Sequence, residues 1–300
     1  MSDLLLQIKV GQLAALATAI CWTFGALCFE YSSKKIGSLS LNIIKMYLAF
    51  ALFTVFAWIF RGRPFPTDAS GHAWLWLSLS GIVGFVLGDL FLFKAFATIG
   101  ARTSMLVMSL VPPITALMGF FLLSERLALR HCLGMAITLS GVATVILTRE
   151  GGTKELKHSV KGLVCAFIGM TGQAVGLVLS KYGMGEYNAF SATQIRIFAG
   201  LIGFTILLFY LKRWGQLMAS FKNITAMKTS AAGSVLGPFL GVYLSLLAIQ
   251  NTSTGIASTI IMIVPVFIIP FSILLFKEKI NLREIIGALI AVTGTAIMFS

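Results

Sequence analysis

Residues 84–95 read GFVLGDLFLFKA, and residues 237–248 read GPFLGVYLSLLA. At a shift of 153 positions, Gly84, Gly88 and Ala95 fall on Gly237, Gly241 and Ala248. The register continues without a gap. Pro112, Glu125, Leu129, Arg130, Gly134 and Gly141 meet Pro265, Glu278, Leu282, Arg283, Gly287 and Gly294, so 84–146 recurs as 237–299. Apolar coincidences are common in a chain of this composition; coincidences of Gly, Pro, Glu and Arg are not. A shift of 151 aligns what lies upstream: Gly11, Gly25, Tyr31 and Ser40 meet Gly162, Gly176, Tyr182 and Ser191, and Lys45 meets Arg196. The chain therefore reads as two copies of one unit, residues 1–150 and 151–300.

Of the 300 residues, 58% are hydrophobic and 11% charged, and the mean hydropathy is +0.94. An ordinary soluble domain has roughly 25% charged residues. A soluble globule of this size has no core large enough to hide so much apolar surface. Soluble enzymes, disordered chains and disulfide-stapled secreted domains are excluded. Ten apolar runs, near 10–30, 41–60, 74–96, 102–122, 129–148, 160–180, 191–211, 229–249, 255–276 and 282–299, match membrane-crossing helices of roughly 20 residues. They do not match the roughly 10-residue alternating strands of an outer-membrane barrel. The predicted fold is an all-α membrane protein of ten transmembrane helices, five per copy. Five is odd, so the second copy enters the membrane from the opposite face. Two inverted five-helix repeats around a central cavity are expected, the construction of secondary transporters that hold substrate near the midplane.

The net charge of +13 comes from Lys and Arg lying between apolar runs, where they anchor helix ends. No nucleic-acid partner is expected. Cys21, Cys28, Cys132 and Cys165 form no CxxC pair and read as small apolar residues. The first run reads as a retained span, not a cleaved signal.

The pattern Gly88, Ala95, Gly100-Ala101, Pro112, Leu123-Ser124-Glu125-Arg126-Leu127, Gly134 and Gly141 recurs as Gly241, Ala248, Pro265, Phe276-Lys277-Glu278-Lys279-Ile280, Gly287 and Gly294. It resembles the drug/metabolite transporter superfamily, and is most similar to its ten-helix, EamA-like branch. The resemblance covers essentially the whole chain. It implies a cavity lined by spans 1, 3 and 4 and their counterparts 6, 8 and 9, with spans 5 and 10 as supports. It also implies export of an amino acid or a related metabolite.

Transport needs polar anchors in a wet cavity. Asp89 is the one Asp within a confident span, where an ionised carboxylate costs about 2.5–3.5 kcal/mol on insertion scales. It is expected to face the bundle interior as a substrate anchor or proton carrier; the bland alternatives are a buried pair with Lys94 or Lys45, or a bond within a Gly-rich kink. Lys45 and Arg196 either snorkel to the headgroups or form an anion-binding pair, one at each mouth. Thr18, Trp22, Gly25 and Phe29 share one helix face, and their mates are Gly169, Gln173, Gly176 and Ser180. These faces either line the cavity from opposite halves or pack closely through Gly25 and Gly176. Tyr243, one position past the mate of Asp89, offers a hydroxyl. Pro112, Pro113, Pro238, Pro265 and Pro270 are expected to break or kink spans, and Pro112, Pro265, Gly25 and Gly176 are the hinge candidates. Glu30 reads as interfacial, beside Lys34 or Lys35. Glu125 and Glu278 read as helix N-terminal partners.

An intramembrane aspartyl protease needs a second Asp that the spans lack. No G-x-S-x-G, HExxH or phosphate-binding loop occurs. A passive channel is the remaining competitor. No metal or cofactor is expected; the partners are a small-molecule substrate and the bilayer, with the chain as monomer or homodimer in a bacterial inner membrane. Lys and Arg are denser on the side opposite the termini, which favours external termini, whereas the resemblance favours cytoplasmic ones.

Overall fold

The computed structural model describes residues 2–123, 129–146, 159–251, 257, 260–276 and 281–299. Among these, every regular element is helical. Lipid offers no partner to a bare N–H or C=O, so a chain this apolar satisfies its backbone within helices. Spans 1 and 2 are α1 (Ser2–Ile36) and α2 (Ser38–Arg61). Span 3 is α3 (Gly71–Gly81), a wide-turn π segment (Ile82–Asp89) and the first half of α4 (Leu90–Met108). Gly100 interrupts α4 at φ 80°, a conformation open to glycine. The rest of α4 and α5 (Val111–Leu123) make span 4. After α6 (Leu129–Ile146) come α7 (Val160–Met184), α8 (Ala189–Leu211) and α9 (Trp214–Ser220). Span 8 is α10 (Ile224–Ser234), a second π segment (Val235–Gly241) and α11 (Val242–Asn251). The chain closes with α12 (Val264–Phe276) and α13 (Leu282–Phe299).

Six of the described helical stretches are long and apolar enough to cross a membrane unaided, and Cys132–Val145 and Val264–Phe276 are shorter apolar helices. The fourth run is not one helix. It turns at Ser109–Leu110, where the Ser109 and Leu110 N–H groups reach back only three residues. Pro112 and Pro113 have no N–H to give, and their rings crowd the carbonyls four residues earlier. The same turn recurs at Met262–Ile263, ahead of Pro265. These breaks are repeat mates, as are the two π segments. The short helix α9 is a departure from expectation: the Lys212–Lys228 connection reads as a loop, because seven residues are too few to register as an apolar run.

Polar residues at the helix ends satisfy the bare first-turn N–H groups. Ser70 accepts from Ala73 at 3.1 Å, Asn188 from Phe190 and Ser191 at 3.1 and 3.2 Å, and Asn223 from Ala226 at 3.0 Å. Gly62 (φ 65°) ends α2 and returns its N–H to Trp58.

The two halves interlock. α1 lies on α10 and α11, and its counterpart α7 lies on α3 and α4. α2 meets α8, and α6 meets α13. Glycines set how closely they approach. A Cβ on Gly172 stands 2.8 Å from the Gly88 Cα, one on Gly176 stands 2.9 Å from the Gly84 Cα, and one on Gly169 stands 2.9 Å from the Leu92 N. Apolar burial drives no association between helices in lipid, so this backbone-to-backbone fit supplies the dispersion contact that does. The α1 face is bulkier. Phe29 sits over Gly233 and Gly237, and Trp22 over Gly241. That asymmetry leaves space beside α1.

Candidate functional site

The space is a cavity of about 590 Å³, counting its open part, between α1, α2, the Ile82–Asp89 segment, α4, α7 and span 8. Apolar side chains make most of its wall: Trp22, Phe29, Phe85, Phe93, Phe96, Met105 and Met108. Three polar side chains reach it: Lys45, Asp89 and Gln173.

Asp89 joins three helices. Lys45 donates from α2 to Oδ2, and Gln173 donates from α7 to Oδ1. Gln173 also donates to the Gly84 carbonyl at 3.1 Å. Asn42, one turn before Lys45, donates to the Asp89 backbone carbonyl at 3.3 Å and to Ser38 at 2.9 Å. The Lys45 ammonium also lies 4.4 Å from the Phe93 ring centroid, 5.7 Å from Phe85 and 5.8 Å from Phe29. Ring faces carry partial negative charge, so they offset some of the lost hydration. Lys94, the other partner considered for Asp89, is exposed.

Lys45 and Arg196 do not snorkel, and they do not mark opposite mouths. Lys45 is 1% exposed and Arg196 4%. The Arg196 guanidinium lies 4.9 Å from the Phe85 ring centroid, along Gly81 and Gly84, where no side chain bars its path. Its Nε is buried and has no hydrogen-bond partner among the described residues. Two cations thus flank one carboxylate, and α2 and α8 carry them inward because those helices face each other.

The two matched faces behave differently. Trp22, Gly25 and Phe29 line the cavity, while Thr18 is buried and returns its hydroxyl to Ala14 at 2.8 Å. From α7 only Gln173 lines it. Gly169 and Gly176 press on span 3, and Ser180 meets Ser80 at 2.7 Å. For α7 the close-packing alternative holds. Tyr243 packs against Phe190 at 5.5 Å, and it is Val242 that faces the cavity. One residue along a helix turns the side chain by about 100°.

Glu30 is fully buried within the protein, pairs with Lys34, one of its two expected partners, and accepts the Ala101 N–H at 2.7 Å, directly after the Gly100 break. A carboxylate there satisfies a bare N–H at a new helix start. Pro112 and Pro265 are both buried, at the heads of α5 and α12. Pro265 borders a crevice with Arg102 and Glu284, which form a buried ion pair between α4 and α13. Glu125 and Glu278 fall outside the described residues. Sequence reasoning missed Asn42, Phe93, Phe96 and the Arg102–Glu284 pair. A polar residue three before Lys45 was the available signal for Asn42; nothing local marks the others.

A duplicated helical membrane protein with a polar-floored apolar cavity at the junction of its halves has the architecture expected of a transporter. The chain matches the EamA-like transporter family over residues 9–147 and again over 160–300, and it belongs to that family. It is similar to an uncharacterized transporter, YetK, of Bacillus subtilis: 22% identical over 279 residues, covering 90% of this chain and 83% of the relative. An uncharacterized transporter of Clostridium kluyveri is 25% identical over 233 residues, covering 75% and 72%. Protein LicB of Haemophilus influenzae is 23% identical over 202 residues, covering 67% and 68%. A solved crystal structure shares the fold with a TM-score of 0.65 at 17% identity, covering 96% of each chain. The protein is thus a multi-pass integral membrane protein, and its bacterial relatives point to the inner, plasma membrane.

Proposed function

We propose that this chain is a secondary transporter that exports a small zwitterionic metabolite, such as an amino acid, by alternating access between two inverted repeats, 1–150 and 151–300. The observation that carries this reading is the Lys45–Asp89 pair, two opposite charges side by side at the edge of a mostly apolar cavity. A zwitterion brings one ammonium and one carboxylate. Its ammonium meets Asp89 as its carboxylate meets Lys45, so each buried charge exchanges one partner for another of the same sign. A neutral solute offers no such exchange. Opening the pair for it strands two charges, and breaking a buried pair costs about 3–5 kcal/mol. Gln173 and Asn42 hold Asp89 in place while its Lys45 bond opens.

The matched breaks at Ser109–Leu110 and Met262–Ile263 support alternating access. In such transporters broken spans build the midplane site, and one repeat rocks against the other around it. The smooth glycine contact between α7 and span 3 supports it too, because a two-state motion needs faces that can separate and re-form. Export is supported by the family resemblance. The test is counterflow in liposomes loaded with a panel of zwitterions, cations, anions and neutral sugars. Saturable exchange of zwitterions is expected, with outward flux favoured when the protein is oriented as in the cell. Flux that does not saturate would make the protein a channel, and a neutral sugar as the best substrate would overturn the role of the pair.

A further inference from the structure

A second site lies outside the cavity. α9, α2 and α8 enclose a groove of about 330 Å³, at the lower end of the roughly 300–1,000 Å³ of typical small-molecule sites. Its walls are Ile43, Ile44, Tyr47 and Leu48 of α2, Thr205 and Leu208 of α8, and Trp214, Leu217, Met218 and Phe221 of the α9 segment, with Met227 of α10 beyond. Leu217 is buried, whereas Trp214, Met218 and Phe221 are 39%, 54% and 48% exposed. The short helix thus roofs an apolar slot that it does not fill.

The chain around the slot carries one sign of charge. Lys212 and Arg213 immediately precede Trp214, Lys222 immediately follows Phe221, and Lys228 follows Met227; all four are exposed. No Asp or Glu occurs between Glu186 and Glu278 to neutralise them. Trp and Tyr favour the membrane–water boundary, and Trp214 and Tyr47 both line the slot. An apolar slot with cations on both sides of its roof complements a molecule with a greasy chain and an anionic head.

We propose that this groove binds an anionic glycerophospholipid, one acyl chain in the slot and the phosphate between Arg213 and Lys222. The bound lipid braces α2 from behind. Ile43 and Ile44 touch the slot, and the next residue, Lys45, turns away from it to Asp89. The lipid therefore sets the position of the helix that carries the cavity lysine. This site stands whether or not the cavity takes a zwitterion.

The test uses the full chain in nanodiscs and phospholipids with brominated chains, which quench nearby tryptophan. The reading is the emission that Trp214 contributes, the difference between wild type and Trp214→Phe. Each cation near an anionic head adds roughly five-fold in affinity. Brominated phosphatidylglycerol is therefore expected to quench Trp214 at a mole fraction at least five-fold below that needed for brominated phosphatidylcholine. The Arg213→Gln/Lys222→Gln pair is expected to remove that preference, and Lys161→Gln, also exposed, to keep it. Equal quenching by the two lipids would overturn the proposal. So would a preference that survives the double substitution, because the charge would then come from the bulk surface and not from this rim.

Discussion

Asp89, Lys45 and Arg196 sum to one positive charge when ionised, and lipid surrounds the bundle that holds them. Lys45 forms the hydrogen-bonded ion pair with Asp89, while Arg196 acts on it only through space, so single and double substitutions of the pair should diverge. Lys45→Met is expected to lower stability by about 3–5 kcal/mol, because it breaks the ion pair of a buried carboxylate. Lys45→Met with Asp89→Leu replaces the pair by apolar volume and is expected to return stability close to wild type. Neither variant should transport. Thermal unfolding in detergent and counterflow, measured side by side, separate the two roles; transport by the double variant would remove the pair from the mechanism. Asp89→Asn keeps shape and hydrogen bonding, so it should insert normally and lose at least ten-fold in flux. Wild-type flux with unchanged pH dependence in that variant would exclude Asp89. Trp22→Ala enlarges the cavity wall, and apparent substrate affinity is expected to fall more than expression. Loss of expression alone would make Trp22 a packing residue. Asp89 stood out in the chain because a lone carboxylate in an apolar run must have a reason to be there. Its partner did not. Lys94 is five residues away on the same helix and Lys45 is forty-four away, and only the packing of α2 against span 3 chooses between them.

Among the elements, α7 and span 3 form a close seam, and glycine makes it possible. Gly172→Ala places a methyl 2.8 Å from the Gly88 Cα, which is backbone and cannot swing aside. Overpacking of this kind costs about 1–3 kcal/mol. Gly215→Ala, in the open α9, meets nothing within 4 Å and is expected to be neutral or to stabilise by up to about 1 kcal/mol. Melting temperatures of the two proteins would test the contrast; equal shifts would mean that the seam is looser than described. The broken spans carry a second expectation. Pro265→Ala supplies the missing N–H and lets the helix run through Met262–Ile263. Turnover should fall while substrate affinity holds, and an unchanged rate would mean that the break is only a packing kink. These breaks were legible in the chain because proline acts locally. Which glycines would touch which backbone was not, since a glycine leaves no trace of its neighbour.

At the scale of the molecule, the interlocked halves predict that motion at one seam is motion everywhere. Ser80 and Ser180 meet across α3 and α7. In a background without the native cysteines, Ser80→Cys with Ser180→Cys should form a disulfide that stops counterflow, and reductant should restore it. Transport that continues with the bond closed would show that this seam does not open. The even number of spans expected from the sequence also places both termini in one compartment. Reporter fusions at each end should agree; disagreement would require an odd count.

The sequence by itself determined the membrane, the helices, the duplication and the short list of polar residues with a reason to be buried. Those follow from composition, periodicity and the cost of bare charge in lipid, all of which act along the chain. Only the tertiary structure decided that Lys45, not Lys94, holds Asp89, that Arg196 lies beside Phe85, that Glu30 caps the helix after Gly100, and that Gln173 alone of its face reaches the cavity. Each of these depends on how closely two helices distant in sequence approach, and that distance is set by side-chain volumes on both at once.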